Sequence, residues 1–458
     1  MSDKFRRQLR QEVEQWHSEG LIDQTVYEQL GDRYKFNNLE SSASNRFILI
    51  LLGLGSVLLG LSIITFVAAN WQVWARELKI TLLLSGFIGI NTAGFYLWQR
   101  SNQQWQRRLG QALLLLGALV LGANLALMSQ LFHQSGQVYQ LYLVWGLGVL
   151  AMAYSLRLTM LGIFASLLVW LGYLRYLWEP EVVAFGRLSW LQLLVQHLPV
   201  LVALLFIPLA YWCKSRWIFR LSAIAIIFSL EANILRFNLL VSSPWIGAIA
   251  FALPPALLWA YNDSLLRRHP LSIEIFSGIA RSLAITFLSL LFYVLSFYGL
   301  WNTSLVPSPE NALPLFSPPL IDLVLLGILA LWQWLRLLRR GNLNNYLVAG
   351  MILISAVVPV WHLGGTPQPA FAALIFNLLL FLLSVGLIRE GIAKGKRQLF
   401  WGGMLLLTLQ VFSRMLEYNT DLLFKSFVLF LCGFGLMGGG LWFERRLRTK
   451  IVKVRATD

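Results

Sequence analysis

An ionisable side chain set in hydrocarbon is the feature of this chain best able to do chemistry, and Glu231 is the acid placed for it. It falls within the apolar run Ile218–Leu239, roughly 20 Å from the start of that run at 1.5 Å per helical residue. An unpaired carboxylate there is costly. It is therefore expected to be carried protonated, or hydrogen-bonded to Asn233 and to residues of other helices, as coupled transport or a proton relay requires. Arg236 lies five residues on, roughly 140° around the helix, where it can reach outward instead of pairing. Arg281 enters from the inner side, about 11 Å below Glu231 by the same rise. A second candidate is a polar group at one membrane level. Asn70 and Trp71 close one apolar run, and Gln130, His133 and Gln134 close another at the same side. Spacings of three and four residues put the last three on one helix face. Such a group could bind a polar head group or a small solute; the plainer alternative is a helix cap, an interfacial anchor and residues that meet water.

Other chemistry finds little support. The five histidines are scattered, with no HExxH, no Walker loop, no GxSxG and no pair of nearby intramembrane acids. Cys213 and Cys432 lie in or beside apolar runs without CxxC or Cys/His spacing, so neither a disulfide framework nor a zinc site is expected. No cofactor, metal or catalytic residue is assigned. An outward-facing glycan or lipid transferase would have Arg175, Arg187, His197 or His362 to use. Pro208, Pro254, Pro255 and Pro359 interrupt apolar runs; they could free carbonyls, as in broken transporter helices, or simply kink. Gly435 and Gly439 allow close helix contact in the last run.

The elements that must position these residues follow from composition. Of 458 residues, 57% are hydrophobic and 13% charged, and the mean hydropathy is +0.65; the solvent of such a chain is mostly lipid. Fourteen apolar runs are long enough to cross a bilayer: Phe47–Ala69, Leu78–Trp98, Leu109–Leu131, Val138–Leu156, Leu158–Trp178, Trp190–Cys213, Ile218–Leu239, Trp245–Tyr261, Ile275–Trp301, Leu320–Leu338, Tyr346–Leu363, Phe371–Ile388, Leu399–Leu416 and Leu422–Phe443. Each must be helical, because an isolated strand in hydrocarbon leaves its backbone unpaired. A helix from Val138 to Trp178 would far exceed the bilayer, so a hairpin joint is expected at Arg157.

The basic residues orient the bundle. With fourteen crossings and the amino terminus inside, 29 of the 37 Lys and Arg fall on the cytoplasmic side and seven outside, with Arg281 left within a run, as the positive-inside rule requires. The whole formal excess of +16 is then cytoplasmic. These charges are spread over separate segments without interleaved aromatics, which argues for anionic inner-leaflet lipid and against nucleic acid. Trp71, Trp74, Trp98, Trp178, Trp190, Trp245, Trp301 and Trp361 fall at the ends of runs, where an amphipathic ring anchors at the interface.

The expected fold is an all-α polytopic transmembrane bundle of about 14 spans in the inner (cytoplasmic) membrane, with both termini cytoplasmic. Residues 1–46 form a small cytoplasmic helical hairpin and tether, 47–443 the bundle, and 444–458 a basic cytoplasmic tail. In the first segment Leu9, Val13 and Trp16 recur at helical spacing, Gly20 stops the helix, and Asp23 can cap a second helix carrying Val26 and Leu30. Asn37 to Asn45, rich in Ser and Asn, reads as the tether. The segment lacks the short basic start and small-residue cleavage site of a signal peptide, so the first crossing is expected to be retained.

Leu9, Trp16, Gly20-Leu21-Ile22, and Gly53 through Gly60 leading into Ala68-Ala69-Asn70-Trp71 resemble the amino-terminal domain of unknown function 2157, a family of prokaryotic multi-pass membrane proteins. Gly122-Ala123-Asn124, Ser129-Gln130-Leu131-Phe132-His133 and Leu143-Val144-Trp145 resemble its continuation. The likeness covers roughly the first third of the chain and implies location and architecture, not an activity. Three functions stay open: binding or transport of a small or lipid-linked solute, a membrane-embedded transferase, and a non-catalytic scaffold or sensor acting through the amino-terminal hairpin.

Overall fold

The computed structural model describes residues 3–34, 37–70, 75–100, 103–132, 136–179, 190–237, 244–263, 276–302, 317–339, 341–364, 368–418 and 421–455. Among them the chain is helical with no strand. It divides into two compact units, Met1–Arg175 and Tyr176–Asp458. The first contains α1 (Asp3–Ser18), α2 (Gln24–Tyr34), α3 (Asn37–Asn70), α4 (Arg76–Arg100), α5 (Gln104–Leu131), α6 (Val138–Leu156) and nearly all of α7 (Thr159–Leu177). The second contains α8 (Trp190–Gln196), α9 (Leu198–Trp212), α10 (Arg216–Arg236), α11 (Pro244–Ala260), α12 (Ser277–Leu295), α13 (Tyr298–Trp301), α14 (Pro318–Leu338), α15 (Leu343–Gly364), α16 (Pro369–Lys394), α17 (Arg397–Glu417) and α18 (Leu422–Arg455).

Eleven of the helices among the described residues are long and apolar enough to cross a membrane, and twelve do so if α8 and α9 make one bent crossing. The apolar portions Ile50–Ile63 of α3 and Phe251–Ala260 of α11 are shorter. The Ser- and Asn-rich stretch read as a tether is the first part of α3, and the basic tail continues α18 as far as Arg455. A helix nucleated in an apolar run propagates cheaply into polar flanks that contain no proline or glycine.

In the first unit, Val13 is fully buried against Leu9, Ile22, Tyr27, Leu30 and Tyr34. Gly20 ends α1 in the left-handed region at φ +73°, and the Asp23 carboxylate accepts from the Gln24 N–H at 2.8 Å and the Thr25 hydroxyl at 3.1 Å, capping α2. At the joint between α6 and α7, Arg157 takes φ 55° and its N–H bonds the Ala153 carbonyl at 2.9 Å, the αL ending that lets the chain reverse at once.

The helices α4 and α5 approach along glycines. A Cβ on Gly110 would stand 2.5 Å from the Trp98 backbone nitrogen and 2.8 Å from the Gly94 carbonyl oxygen. One on Gly117 would meet the Asn91 amide at 2.4 Å, and one on Gly122 the Trp145 ring at 2.3 Å. The Trp145 indole N–H donates to the Ala118 carbonyl at 2.7 Å, and the Asn124 amide donates to the Leu83 carbonyl at 3.2 Å. Close backbone approach supplies the dispersion contact that lipid, being as apolar as leucine, cannot outcompete.

The second unit packs α16 at its centre. Phe292 of α12, Trp301 of α13, and Ala372, Phe376 and Leu380 of α16 are buried together with Ile352 and Val358 of α15. Beside this core, Leu230 and Ile234 of α10 pack on Ile246 and Leu253 of α11 and on Leu323, Leu326 and Ala330 of α14. Trp301, expected as an interfacial anchor, is instead core: it stacks on Phe376, and its indole N–H donates to the Leu295 carbonyl at 2.7 Å. A turn after α12 folds the ring inward. Gly439 and Gly440 of α18 face Met404 and Trp401 of α17, while Gly435 has open space before it.

Candidate functional site

Pro199 breaks a crossing that the hydropathy pattern reads as continuous. Trp190–Cys213 was expected to be one crossing, but α8 and α9 meet at 81°, with His197 between them. Pro199 stands in the first turn of α9, where its missing N–H would have lacked a partner anyway; it cannot bond the Val195 carbonyl, and its ring would clash there. The proline signal was in the sequence, hidden by an apolar run long enough to look continuous.

The break is lined by polar groups from three helices. His197 Nδ1 lies 2.7 Å from Asp322 Oδ1 of α14. Asp322 is 1% exposed, the His197 side chain 30%. The second oxygen, Asp322 Oδ2, is buried with no hydrogen-bond partner among the described residues. The carbonyl of Gln196, last residue of α8, accepts from the Asn233 amide of α10 at 2.9 Å, so α10 satisfies one of the acceptors that the break leaves over. In the apolar run Leu320–Leu338, Asp322 is the third residue. Helix α14 starts at Pro318, two residues early, which carries Asp322 into its second turn and into the packed interior.

Glu231 also lies inside. Both of its carboxylate oxygens are buried and lack a hydrogen-bond partner among the described residues. Asn233, the expected partner, sits roughly 200° further round the helix and is committed to Gln196. Glu231 continues the face of α10 on which Ala223 and Ile227 pack against Leu258 of α11 and Ala284 of α12. Arg236 does not pair with Glu231: it donates to the carbonyls of Leu177 and Glu179 at 2.7 and 2.8 Å and stacks over Tyr176 at 4.2 Å. Arg281 of α12 has a buried Nε without a partner among the described residues.

Two further polar clusters close helix ends. At the turn after α12, the Ser296 carbonyl accepts from Asn377 at 2.9 Å and from Arg414 at 2.7 Å. Arg414 pairs with Glu417 and stacks over Phe297, and Glu417 accepts the Tyr298 N–H at 2.6 Å. At the start of α12, buried Asp263 accepts from the Phe276 and Ser277 N–H groups at 3.1 and 3.3 Å and from the Tyr211 hydroxyl. These are caps, which sequence reading missed because the partners come from distant segments.

The polar group expected on the first unit is only partly in view. Trp71, His133 and Gln134 lie outside the described residues, as does the side chain of Asn70; Gln130 is exposed. The backbone register, with Gly60 under Leu116 and Leu119, brings the end of α3 level with the end of α5. Of the transferase candidates, Arg187 lies outside the described residues and Arg175 is exposed. His362 is 5% exposed, with Nε2 3.1 Å from the Trp301 carbonyl oxygen; only His197 meets a carboxylate. The prolines 208, 254, 255 and 359 lie inside continuous helices.

Residues 14–162 match the family model described as predicted membrane protein (DUF2157). The resemblance read from the amino-terminal third is thereby borne out over that third, and the match lies wholly within the first unit. No curated protein and no solved structure matches the chain. The chain is thus a membrane protein with many apolar helices whose residues 14–162 are similar to the DUF2157 family.

Proposed function

We propose that the chain crosses the cytoplasmic membrane fourteen times with both termini in the cytoplasm, and that its second unit binds a small or lipid-linked solute beside the broken crossing. The fourteen comprise the eleven qualifying helices, the bent pair, α3 and α11. In this arrangement α1 and α2 form a cytoplasmic hairpin, and the basic loops and tail meet anionic inner-leaflet lipid.

The observation that carries the solute reading is the carboxylate of Glu231 on α10, buried with neither oxygen bonded among the described residues. A buried acid in lipid is retained against its desolvation cost, and a ligand that supplies its missing partner accounts for that. The broken crossing supports the same reading, because irregular backbone at membrane depth is tolerated where it lines a cavity. A transferase is the weaker reading, since His362 is occupied by a carbonyl and Arg175 is not drawn into a site.

The test is ligand-induced thermal stabilisation of the full chain in nanodiscs, screened against polar solutes and lipid-linked glycan carriers. A binding solute should stabilise the wild type and leave Glu231→Gln unmoved. Binding and transport of each such solute unchanged in Glu231→Gln would contradict the assignment.

A further inference from the structure

We propose that the His197–Asp322 pair at the break between α8 and α9 is a proton-binding site, filled when the break is closed to water and emptied when it is wetted. As the coupling ion of a solute-binding unit the proton rests on the reading above; as a bound ion it does not.

Asp322 has one oxygen on His197 and the other on nothing among the described residues, at 1% exposure. With one proton shared between them, the imidazole N–H donates to the carboxylate and the pair carries a charge of −1. With two, it is neutral. Its apolar surroundings include Leu323, Leu326 and Val200, where a net charge is disfavoured far more than in water. Closing the break to water therefore favours uptake, and hydrating it favours release. The partly exposed His197 ring is the route by which the proton comes and goes.

Among the described residues, the helices packed against α14 leave the pair to titrate alone. Of the helices packed against α14, α8 and α11 carry no ionisable side chain, and α9 carries only Tyr211, at its far end. On α10, Arg216 and Arg220 lie at the opposite end, Arg236 is held by carbonyls, and Glu231 faces α11 and α12. On α15, His362 is bonded to Trp301 and Tyr346 to the Leu338 carbonyl. Arg336 of α14 stacks on Trp332, roughly 21 Å along the helix from Asp322.

A metal cation fits less well. It takes about six oxygen ligands, and no group of three His, Cys, Asp or Glu side chains converges among the described residues. The other orphaned acceptor of α14, Gln333 Oε1, is eleven residues on, roughly 16 Å away. A proton needs one acceptor.

The experiment is hydrogen–deuterium exchange of the full chain in nanodiscs at about pH 5.5 and about pH 8, either side of the ordinary imidazole range, with rates corrected for intrinsic exchange. The amides of Leu193 to Leu201 should be about tenfold better protected at the lower pH, the factor equivalent to one pH unit of differential proton binding. His197→Gln and Asp322→Asn should each abolish that difference. Nitrogen-15 spectra of ring-labelled wild type, assigned by substituting the other histidines, should show the His197 ring changing charge state over the same range; this needs no folded variant. A pH-independent break, variants that keep the response, or a ring fixed in one state would overturn the proposal. So would a response to exchanging K+ for Na+ at constant pH, which would give the site to a metal cation. Glu231→Gln separates the two readings: solute binding lost there with the pH response kept supports both, whereas no solute binding to the wild type with the response kept sinks the solute reading alone.

Discussion

The two units bury different things at their helix contacts. In the first, α4 and α5 meet through Gly94, Gly110 and Gly117, and Trp145 lies on Gly122; buried polar groups there are few and neutral: Asn124 and Trp145 donate to backbone carbonyls, while the amide oxygens of Asn91 and Asn124 are buried without a hydrogen-bond partner among the described residues. In the second, Asp322, Glu231, Arg281 and Gln333 are brought inside with buried atoms that nothing described satisfies. Close glycine contacts make a rigid scaffold. Unsatisfied acids and a helix pair bent by 81° cost stability, and the proposed solute site is the reason for keeping them. The family match falls on the unit of the first kind, and two of the residues that carry the resemblance, Gly122 and Trp145, pack on each other there.

Substitutions can break that contrast, and their expected sizes differ. Gly110→Ala should be the most damaging: its new methyl has only backbone of α4 to push against, and overpacking of this kind costs about 3 kcal/mol. Reversible unfolding of the protein in mixed micelles would measure it. Asp263→Ala, which uncaps α12 and leaves the Tyr211 hydroxyl only its bond to the Tyr261 hydroxyl among the bonds described, should cost about 2 kcal/mol by the same assay. Trp145→Phe keeps the ring over Gly122 but removes the indole donor to Ala118, for a loss of about 1 kcal/mol. Gly86→Ala, with open space around its Cβ on α4, should stabilise by about 0.5 kcal/mol. If Gly86 and Gly110 respond alike, close approach is not what holds the first unit.

Much of this was legible in the residues because lipid leaves one local solution, the helix, and hydropathy marks where each helix runs. Arg157 announced its joint by charge within an apolar stretch too long to cross once, and Gly20 and Asp23 announced theirs by turn and cap chemistry. Glu231 was legible as a lone acid. Its lack of a partner was not, because Asn233 is near in sequence but turned to Gln196. The His197–Asp322 contact spans 125 positions and depends on a bend set by Pro199 and a helix start set by Pro318; no local pattern pairs them. Trp301 was misjudged because a terminal tryptophan reads as an anchor until a turn folds it inward.

A solute site at Glu231 requires that the second unit keep this acid at a cost to its own stability. The most direct test is the unfolding free energy of Glu231→Leu in the full chain, measured beside wild type in the same bilayer mimic. Replacing an unpaired buried acid by a well-packed apolar residue should raise stability by about 2 kcal/mol. A loss of similar size would mean that the carboxylate is a structural group whose partners hold the bundle together, and the solute site would have to be sought elsewhere.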